Sequence, residues 1–208
     1  MRRCAAPIRP YGTGGRLSRS NDARPVHREE LALPVTYKQA DPGPVRLLVL
    51  DVDGVMTDGR IWLDEAGNQV RGFCTQDGTA IRLWQRASHE VAVVTAKSSE
   101  AVARRVRELD IRHYAYGDEN KLTGYLRVVR DTGCEDREVC YVGDDVLDLA
   151  AMKRCGYPIA VANAVPEIRE IAAYVTVRRG GDGAVREVVE HLLRSQGRWE
   201  EALRAFGA

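Results

Sequence analysis

The 208-residue sequence predicts an α/β domain built on a doubly wound parallel sheet, and three observations lead there. After Val45, short β-rich runs alternate with amphipathic stretches of ten or more residues. The short runs are continuously apolar, as strands covered on both faces are. The stretches between them are long enough for right-handed helical crossovers. In order, the runs 46–50, 91–95, 139–142, 158–161 and 174–177 predict strands, and 77–86, 98–109, 119–132, 145–154 and 183–195 predict helices. Within 98–109, Val102, Val106 and Leu109 recur at helical spacing. The stretch 60–74 departs from this rhythm: polar and apolar residues alternate around a turn at 65–68, which predicts a β-hairpin inserted just after the first strand. Its Ile61, Leu63, Val70 and Phe73 need something to cover them.

Composition narrows the function classes. A hydrophobic share of 44% with 29% charged residues supports a packed core and excludes a wholly disordered chain. With 31 basic against 30 acidic residues there is no overall polycationic field, so nucleic acid is not an expected partner. Apolar runs such as 47–50 and 91–94 fall far short of the roughly 20 residues of a membrane span. Pro7, Arg9, Pro10 and Gly12 stand where a signal peptide would place its apolar stretch, so a cytoplasmic protein without a membrane partner is expected. Cys4, Cys74, Cys134, Cys140 and Cys155 are odd in number and form no Cys-x-x-Cys pair, which favours reduced thiols and leaves a zinc site unsupported. Six of the eight prolines precede Val45, among eight Lys and Arg residues, and no apolar period appears there. Residues 1–44 therefore read as a flexible basic N-terminal extension, and 45–208 as the domain.

Chemistry concentrates where strands end. The first run leads into Asp51, Asp53 and Gly54, and residues two apart on an extended backbone face the same side. The run 139–142 leads into Gly143, Asp144, Asp145 and Asp148. The carboxyl ends of parallel strands are where such sheets bind ligands. Two like charges about 4 Å apart repel by roughly 4 kcal/mol at an effective dielectric near 20, so this crowd of carboxylates calls for a cation. Hard oxygen donors match magnesium better than zinc. Thr95 closes another strand, and Lys121 opens a helix, where a cation opposes the macrodipole unless an anion lies nearby. Lys121 therefore points to a phosphate.

Asp-x-Asp-Gly at 51–54, Thr95, Lys121 and Gly-Asp-Asp at 143–145, in that order, resemble the four motifs of the haloacid dehalogenase superfamily of aspartate-nucleophile phosphatases, over nearly all of 46–195. The resemblance implies that Asp51 attacks phosphorus, and that Asp53 protonates the leaving alcohol and later helps activate water. It implies that Thr95 and Lys121 hold the phosphoryl oxygens. Asp51, the main-chain carbonyl of Asp53 and the Asp144 carboxylate would bind Mg2+, with Asp145 orienting that shell. The motifs are separated by only 44, 26 and 23 residues, which leaves no room for a separate cap domain.

Asp51 to Gly59, the hairpin, 76–78, Asn120 with Lys121, 180–187 and the stretch from Leu192 onward resemble more closely the family of 3-deoxy-D-manno-octulosonate 8-phosphate phosphatases. That resemblance implies a homotetramer whose hairpins pair into a central barrel, and a phosphorylated keto-sugar acid as substrate. Carried over position by position, Asp53, Cys74, Thr75, Gln76, Asp77, Gly78, Arg82, Lys97, Arg105 and Lys121 line the substrate site. Lys97 and Gln76 depart from the family, which usually has Arg at the first position and commonly at the second; Lys97 keeps the charge but loses the fork that suits a carboxylate. Asp182 likewise stands where several relatives carry Arg. A nine-carbon keto-sugar phosphate is thus an alternative substrate. A receiver domain and a catalytically silent assembly module are the other rivals, opposed by Asp53 and by the intact set Asp51, Asp53, Thr95, Lys121 and Asp144. His89, His113 and His191 have no ligand-spaced partners and read as packing residues, as does Trp84. Arg186 either reaches a neighbour's site or pairs with Glu190.

Overall fold

The computed structural model describes residues 40–204. Of the expected N-terminal extension only 40–44 are described; they lead into the sheet, with the Val45 N–H on the Pro42 carbonyl and Ala40 packed against the core. The rest of that expectation lies outside the described residues.

Strands β1 (Leu47–Leu50), β4 (Glu90–Thr95), β5 (His113–Tyr116), β6 (Val139–Gly143), β7 (Tyr157–Ala160) and β8 (Tyr174–Val175) form one six-stranded sheet in the order β5-β4-β1-β6-β7-β8. Every pairing is parallel. Leu47 to Leu50 are buried completely, which is why the run reads as continuous rather than alternating. The chain builds outward from β1 to β5 and then returns to lay β6 on the other side of β1. The crevice between the carboxyl ends of β1 and β6 is therefore the switch point at which such sheets bind ligands.

Helices α1 (Thr75–Arg86), α2 (Glu100–Glu108), α3 (Lys121–Thr132), α4 (Leu149–Met152), α5 (Pro166–Ile171), α6 (Ala184–Ser195) and α7 (Trp199–Arg204) cover the sheet. Trp84 is fully buried, its indole N–H on the Glu90 carbonyl at 2.9 Å. His89 stacks on Trp84 and His191 on Tyr174, so both serve packing, as expected from the sequence. Arg186 pairs with Glu190 at 3.6 Å and lies over the Trp199 ring.

Three expectations change. Strand β5 was not anticipated; it is an edge strand, and its His113, Tyr114, Ala115 and Tyr116 make no continuous aliphatic run. The helix expected over 145–154 is a tight turn at Val146–Asp148 followed by the four-residue α4, because the Asp145 and Asp148 side chains bond back to the backbone there. Short α5, with Pro166 in its first turn, and α7 are also additions. The hairpin is present as β2 (Trp62–Leu63) and β3 (Gln69–Val70), with Trp62 opposite Val70 and its turn closed by Asp64 and Asn68. Of the residues expected to need cover, Phe73 packs against the core, while Ile61, Leu63 and Val70 stay exposed together with Trp62, Trp62 at 63% and Leu63 at 68%.

Candidate active site

The parallel register of β1 on β6 puts Leu50 beside Val142, and the Asp51 N–H donates to the Val142 carbonyl at 3.2 Å. Asp51 and the residues that follow Gly143 thus leave the sheet side by side. Beyond Asp51 the chain makes a wide turn over Val52–Met56, closed by the Thr57 N–H on the Val52 carbonyl. Gly54 sits there at φ 96°, and a Cβ on it would run into the Asp144 carboxylate, so only glycine admits Asp144 to this position. Asn163 holds the turn from the other side, donating to the Gly54 carbonyl at 2.9 Å and accepting the Gly180 N–H at 2.7 Å.

Lys121 reaches the same crevice from the first turn of α3. Gly124, on the same helix, faces Val94 and Ala115 so closely that a Cβ would crowd them, and this lets α3 lie low on the sheet. The Lys121 ammonium is buried and lies 2.8 Å from both Asp51 Oδ2 and Asp148 Oδ1. Burial alone would push its pKa down, but Asp51 and Asp148 outweigh burial and hold it above its ordinary value, so it stays charged. The anion that a lysine at a helix N-terminus requires is, in the free chain, this pair of carboxylates.

Asp148, read from the sequence only as one of the crowded strand-end carboxylates, organises the cluster. It is fully buried; Oδ1 accepts from Lys121 and from the Tyr141 hydroxyl, and Oδ2 from the N–H groups of Asp144 and Asp145. Asp145, expected to orient a metal shell, is exposed and caps the turn by accepting the Val146 N–H at 2.7 Å. Asp148 Oδ2 also accepts the Asp144 N–H, at 3.1 Å.

Asp51, Asp144 and Asp148 each bring a carboxylate oxygen within 4.8 Å of the others. Burial first, then Asp148, pushes Asp51 well above the usual carboxylate range, against the pull of Lys121. The same causes push Asp144 up to about 7. Asp144 Oδ1 is buried without a hydrogen-bond partner. Three carboxylates against one ammonium, with an oxygen left unpaired, fit a hard divalent cation such as magnesium.

The remaining expected residues fall into three groups. Thr95 is buried at the mouth, its hydroxyl donating to the Lys97 carbonyl at 3.2 Å, while the Lys97 side chain is exposed. Asp53 is not in the carboxylate cluster; both its oxygens are held by Arg71, at 2.7 and 3.2 Å. Arg71 is a residue that sequence reasoning missed, since a hairpin arginine carries no motif. The third group joins α1 to α2: Arg105 donates to the Cys74 carbonyl and Glu108, its guanidinium lies across Gly78, and Arg82 donates to the Glu108 carbonyl. Thr75 and Gln76 are exposed, and Gln76 borders a cavity of about 460 Å³ shared with Arg178, Arg186 and Arg194. Asp77 is buried, with Oδ1 accepting the Arg186 N–H at 2.8 Å, so it anchors the start of α6.

Comparison with known proteins adds the lineage. Residues 116–188 match the haloacid dehalogenase-like hydrolases. The chain is 40% identical over 158 residues to the Escherichia coli 3-deoxy-D-manno-octulosonate 8-phosphate phosphatase KdsC, covering 76% of this chain and 84% of that one. A crystal structure of the Moraxella catarrhalis 3-deoxy-D-manno-octulosonate 8-phosphate phosphatase, in complex with magnesium ion, phosphate ion and KDO, superposes with a TM-score of 0.77 at 34% identity, covering 79% of this chain and 95% of that one. The cobalt-bound Haemophilus influenzae deoxy-D-mannose-octulosonate 8-phosphate phosphatase gives a TM-score of 0.74 at 32% identity, covering 76% and 92%. With these likenesses spread over most of its length, and a carboxylate cluster suited to the same kind of ion, the chain belongs to the 3-deoxy-D-manno-octulosonate 8-phosphate phosphatases, a family of phosphomonoester hydrolases within the haloacid dehalogenase superfamily.

Proposed function

We propose that this chain is a magnesium-dependent phosphatase that converts 3-deoxy-D-manno-octulosonate 8-phosphate to the free sugar acid and phosphate through an aspartyl-phosphate on Asp51. The observation that carries the reading is the position of Asp51: buried at the switch point of the sheet, tied to Lys121, and beside an Asp144 with an unpaired oxygen. Asp51 and Asp144, with the main-chain carbonyl of Asp53, would hold the ion. When bound there, magnesium supplies positive charge that lets a phosphate dianion approach a carboxylate.

One Asp51 oxygen attacks phosphorus, and the bond to the sugar oxygen breaks as Asp53 delivers a proton to it. Water, giving its proton to Asp53, then attacks the phosphorus of the aspartyl-phosphate and returns Asp51 as a carboxylate. Lys121 stays charged and Thr95 turns its hydroxyl from the Lys97 carbonyl to a phosphoryl oxygen, so both stabilise charge developing on the transferred group. Asp148 keeps Lys121 and Asp144 in place throughout.

The keto-sugar acid reading is supported by the family and by Lys97, whose exposed side chain lies just beyond Thr95 at the mouth. The hairpin supports a homotetramer: Ile61, Trp62, Leu63 and Val70 are exposed and apolar, and a partner copy would cover them. We place the enzyme in the cytoplasm; among the described residues no helix is long and apolar enough to cross a membrane.

Phosphate release from a panel of eight-carbon and nine-carbon keto-sugar acid phosphates and ordinary hexose phosphates, with magnesium or with chelator, tests the reading. The expected result is fastest turnover on the eight-carbon ester and none with chelator. Faster turnover of a nine-carbon ester would replace the substrate, and absence of turnover on every ester would remove the phosphatase.

A further inference from the structure

Arg71 lies outside every motif, yet it is the residue that holds Asp53. Its side chain is completely buried. Nε and one terminal nitrogen donate to the two Asp53 oxygens at 2.7 and 3.2 Å, and the other terminal nitrogen donates to Gln69 Oε1 at 2.9 Å and to Ser99 Oγ at 3.1 Å. All three guanidinium nitrogens are therefore engaged, and the planar fork fixes the carboxylate it grips. Asp53 itself keeps a quarter of its side chain exposed, so its outer face stays open to a substrate. Ser99 is the N-cap of α2, accepting the Val102 N–H, and follows closely on Thr95. A single buried side chain thus ties the turn after β1, the end of the hairpin and the segment after β4.

We propose that Arg71 is a positioning residue that fixes the Asp53 carboxylate for proton delivery to the leaving oxygen. Asp53 stands on an irregular turn, where an untethered aspartate samples several rotamers; a general acid works only within hydrogen-bond reach of the oxygen it protonates. Misplacement by about 1 Å can cost on the order of 100-fold. The fork removes that freedom before substrate arrives, and it links the hairpin to the chemistry without touching the ester.

This inference rests on Asp53 acting as the acid, and the test separates the two. The kcat/KM for a series of aryl phosphates, from phenyl to 4-nitrophenyl, is measured with magnesium for the native chain, Asp53→Asn, Arg71→Ala, Arg71→Lys and Ser99→Ala. Leaving groups that are poor need the proton and good ones do not, so loss of acid assistance steepens the dependence of rate on leaving-group basicity. The expected result is a loss on phenyl phosphate about tenfold greater than on 4-nitrophenyl phosphate for Arg71→Ala, a smaller steepening for Ser99→Ala, and recovery toward the native slope in Arg71→Lys. A merely structural role would lower all rates in parallel. If Asp53→Asn steepens the slope and Arg71→Ala does not, the positioning role falls and the acid stands; if Asp53→Asn runs parallel to the native chain, both fall. Should Arg71→Ala fail to fold, Ser99→Ala decides, and a native slope there overturns the proposal.

Discussion

At the carboxyl ends of β1 and β6, buried polar side chains answer one another: Lys121 is shared by Asp51 and Asp148, and Asp148 also takes the Tyr141 hydroxyl and two backbone N–H groups. A few residues along the same chain, the hairpin stands out with Trp62, Leu63 and Val70 in solvent. The pocket leaves one Asp144 oxygen unpaired, which suits an ion; the hairpin leaves apolar side chains in solvent, which is the ground of the proposed partner copy. Incompleteness in the two regions is therefore of different kinds, charge in one and apolar area in the other. Arg71, at the base of the hairpin, is where they meet.

The comparison breaks most sharply at Asp51. Asp51→Asn is expected to lower turnover by about 10³-fold or more while leaving the melting temperature unchanged or higher, because it relieves repulsion with Asp148 and Asp144. Phosphate release and calorimetry check this together; an active variant would take the nucleophile away from Asp51. Lys121→Met comes next. It leaves Asp51 and Asp148 facing each other without the ammonium, so it is expected to cost about 100-fold in turnover and about 3 kcal/mol in stability, read by denaturant unfolding.

Asp144→Asn tests the unpaired oxygen. In the native chain, magnesium at about 100 times its dissociation constant is expected to add about 2.7 kcal/mol and raise the melting temperature by several degrees. Chelator removes that gain, and the Asn variant should show none of it; an undiminished shift would mean that the ion sits elsewhere. Trp62→Asp tests the other region. It should shift sedimentation toward smaller species while the sheet domain keeps its circular dichroism, since Trp62 touches none of the main sheet's strands by pairing.

Which features were legible follows the same division. The sheet, its parallel sense and the hairpin were legible because continuous and alternating apolar runs report directly on how many faces of a strand are covered. Asp51, Asp144 and Lys121 were legible as a convergence because strand ends and helix starts fix where side chains emerge. Asp148 was legible as one of the strand-end carboxylates, but its organising role was not, for a physical reason: Val146 and Leu147 look like the buried residues of that stretch, but they are exposed and the aspartate is fully buried. The tight turn inverts the usual order, and only the tertiary pairing with Lys121 and Tyr141 offsets the cost of burying the charge. Arg71 was hidden because its partners lie 18 and 28 residues away on other segments. Strand β5 was missed because an edge strand needs less apolar character than its neighbours.

Asp77 supplies the smallest effect and the cleanest contrast with the pocket, because it is a buried carboxylate that serves the frame. Burial pushes it up to about 6 from an ordinary 3.8, against the backbone N–H groups of Arg186, Gly183 and Val185 that favour its charge. Below about pH 4 it is protonated in both folded and unfolded chains. Between pH 4 and 6 the unfolded chain ionises first, so the folded state loses stability as pH rises, and the loss is complete above pH 6. Asp77→Asn keeps an acceptor for the Arg186 N–H and cannot ionise. It is expected to be more stable than the native chain at pH 7 by ~1–2 kcal/mol and to lose the slope between pH 4 and 6, whereas Asp77→Ala forfeits the anchor of α6 and gains less. Urea unfolding of the metal-free chain at pH 4, 5, 6 and 7 reads both. If the Asn variant keeps the native slope, the titration belongs to the carboxylates around Asp144 instead, and the acid at the start of α6 is charged at no cost.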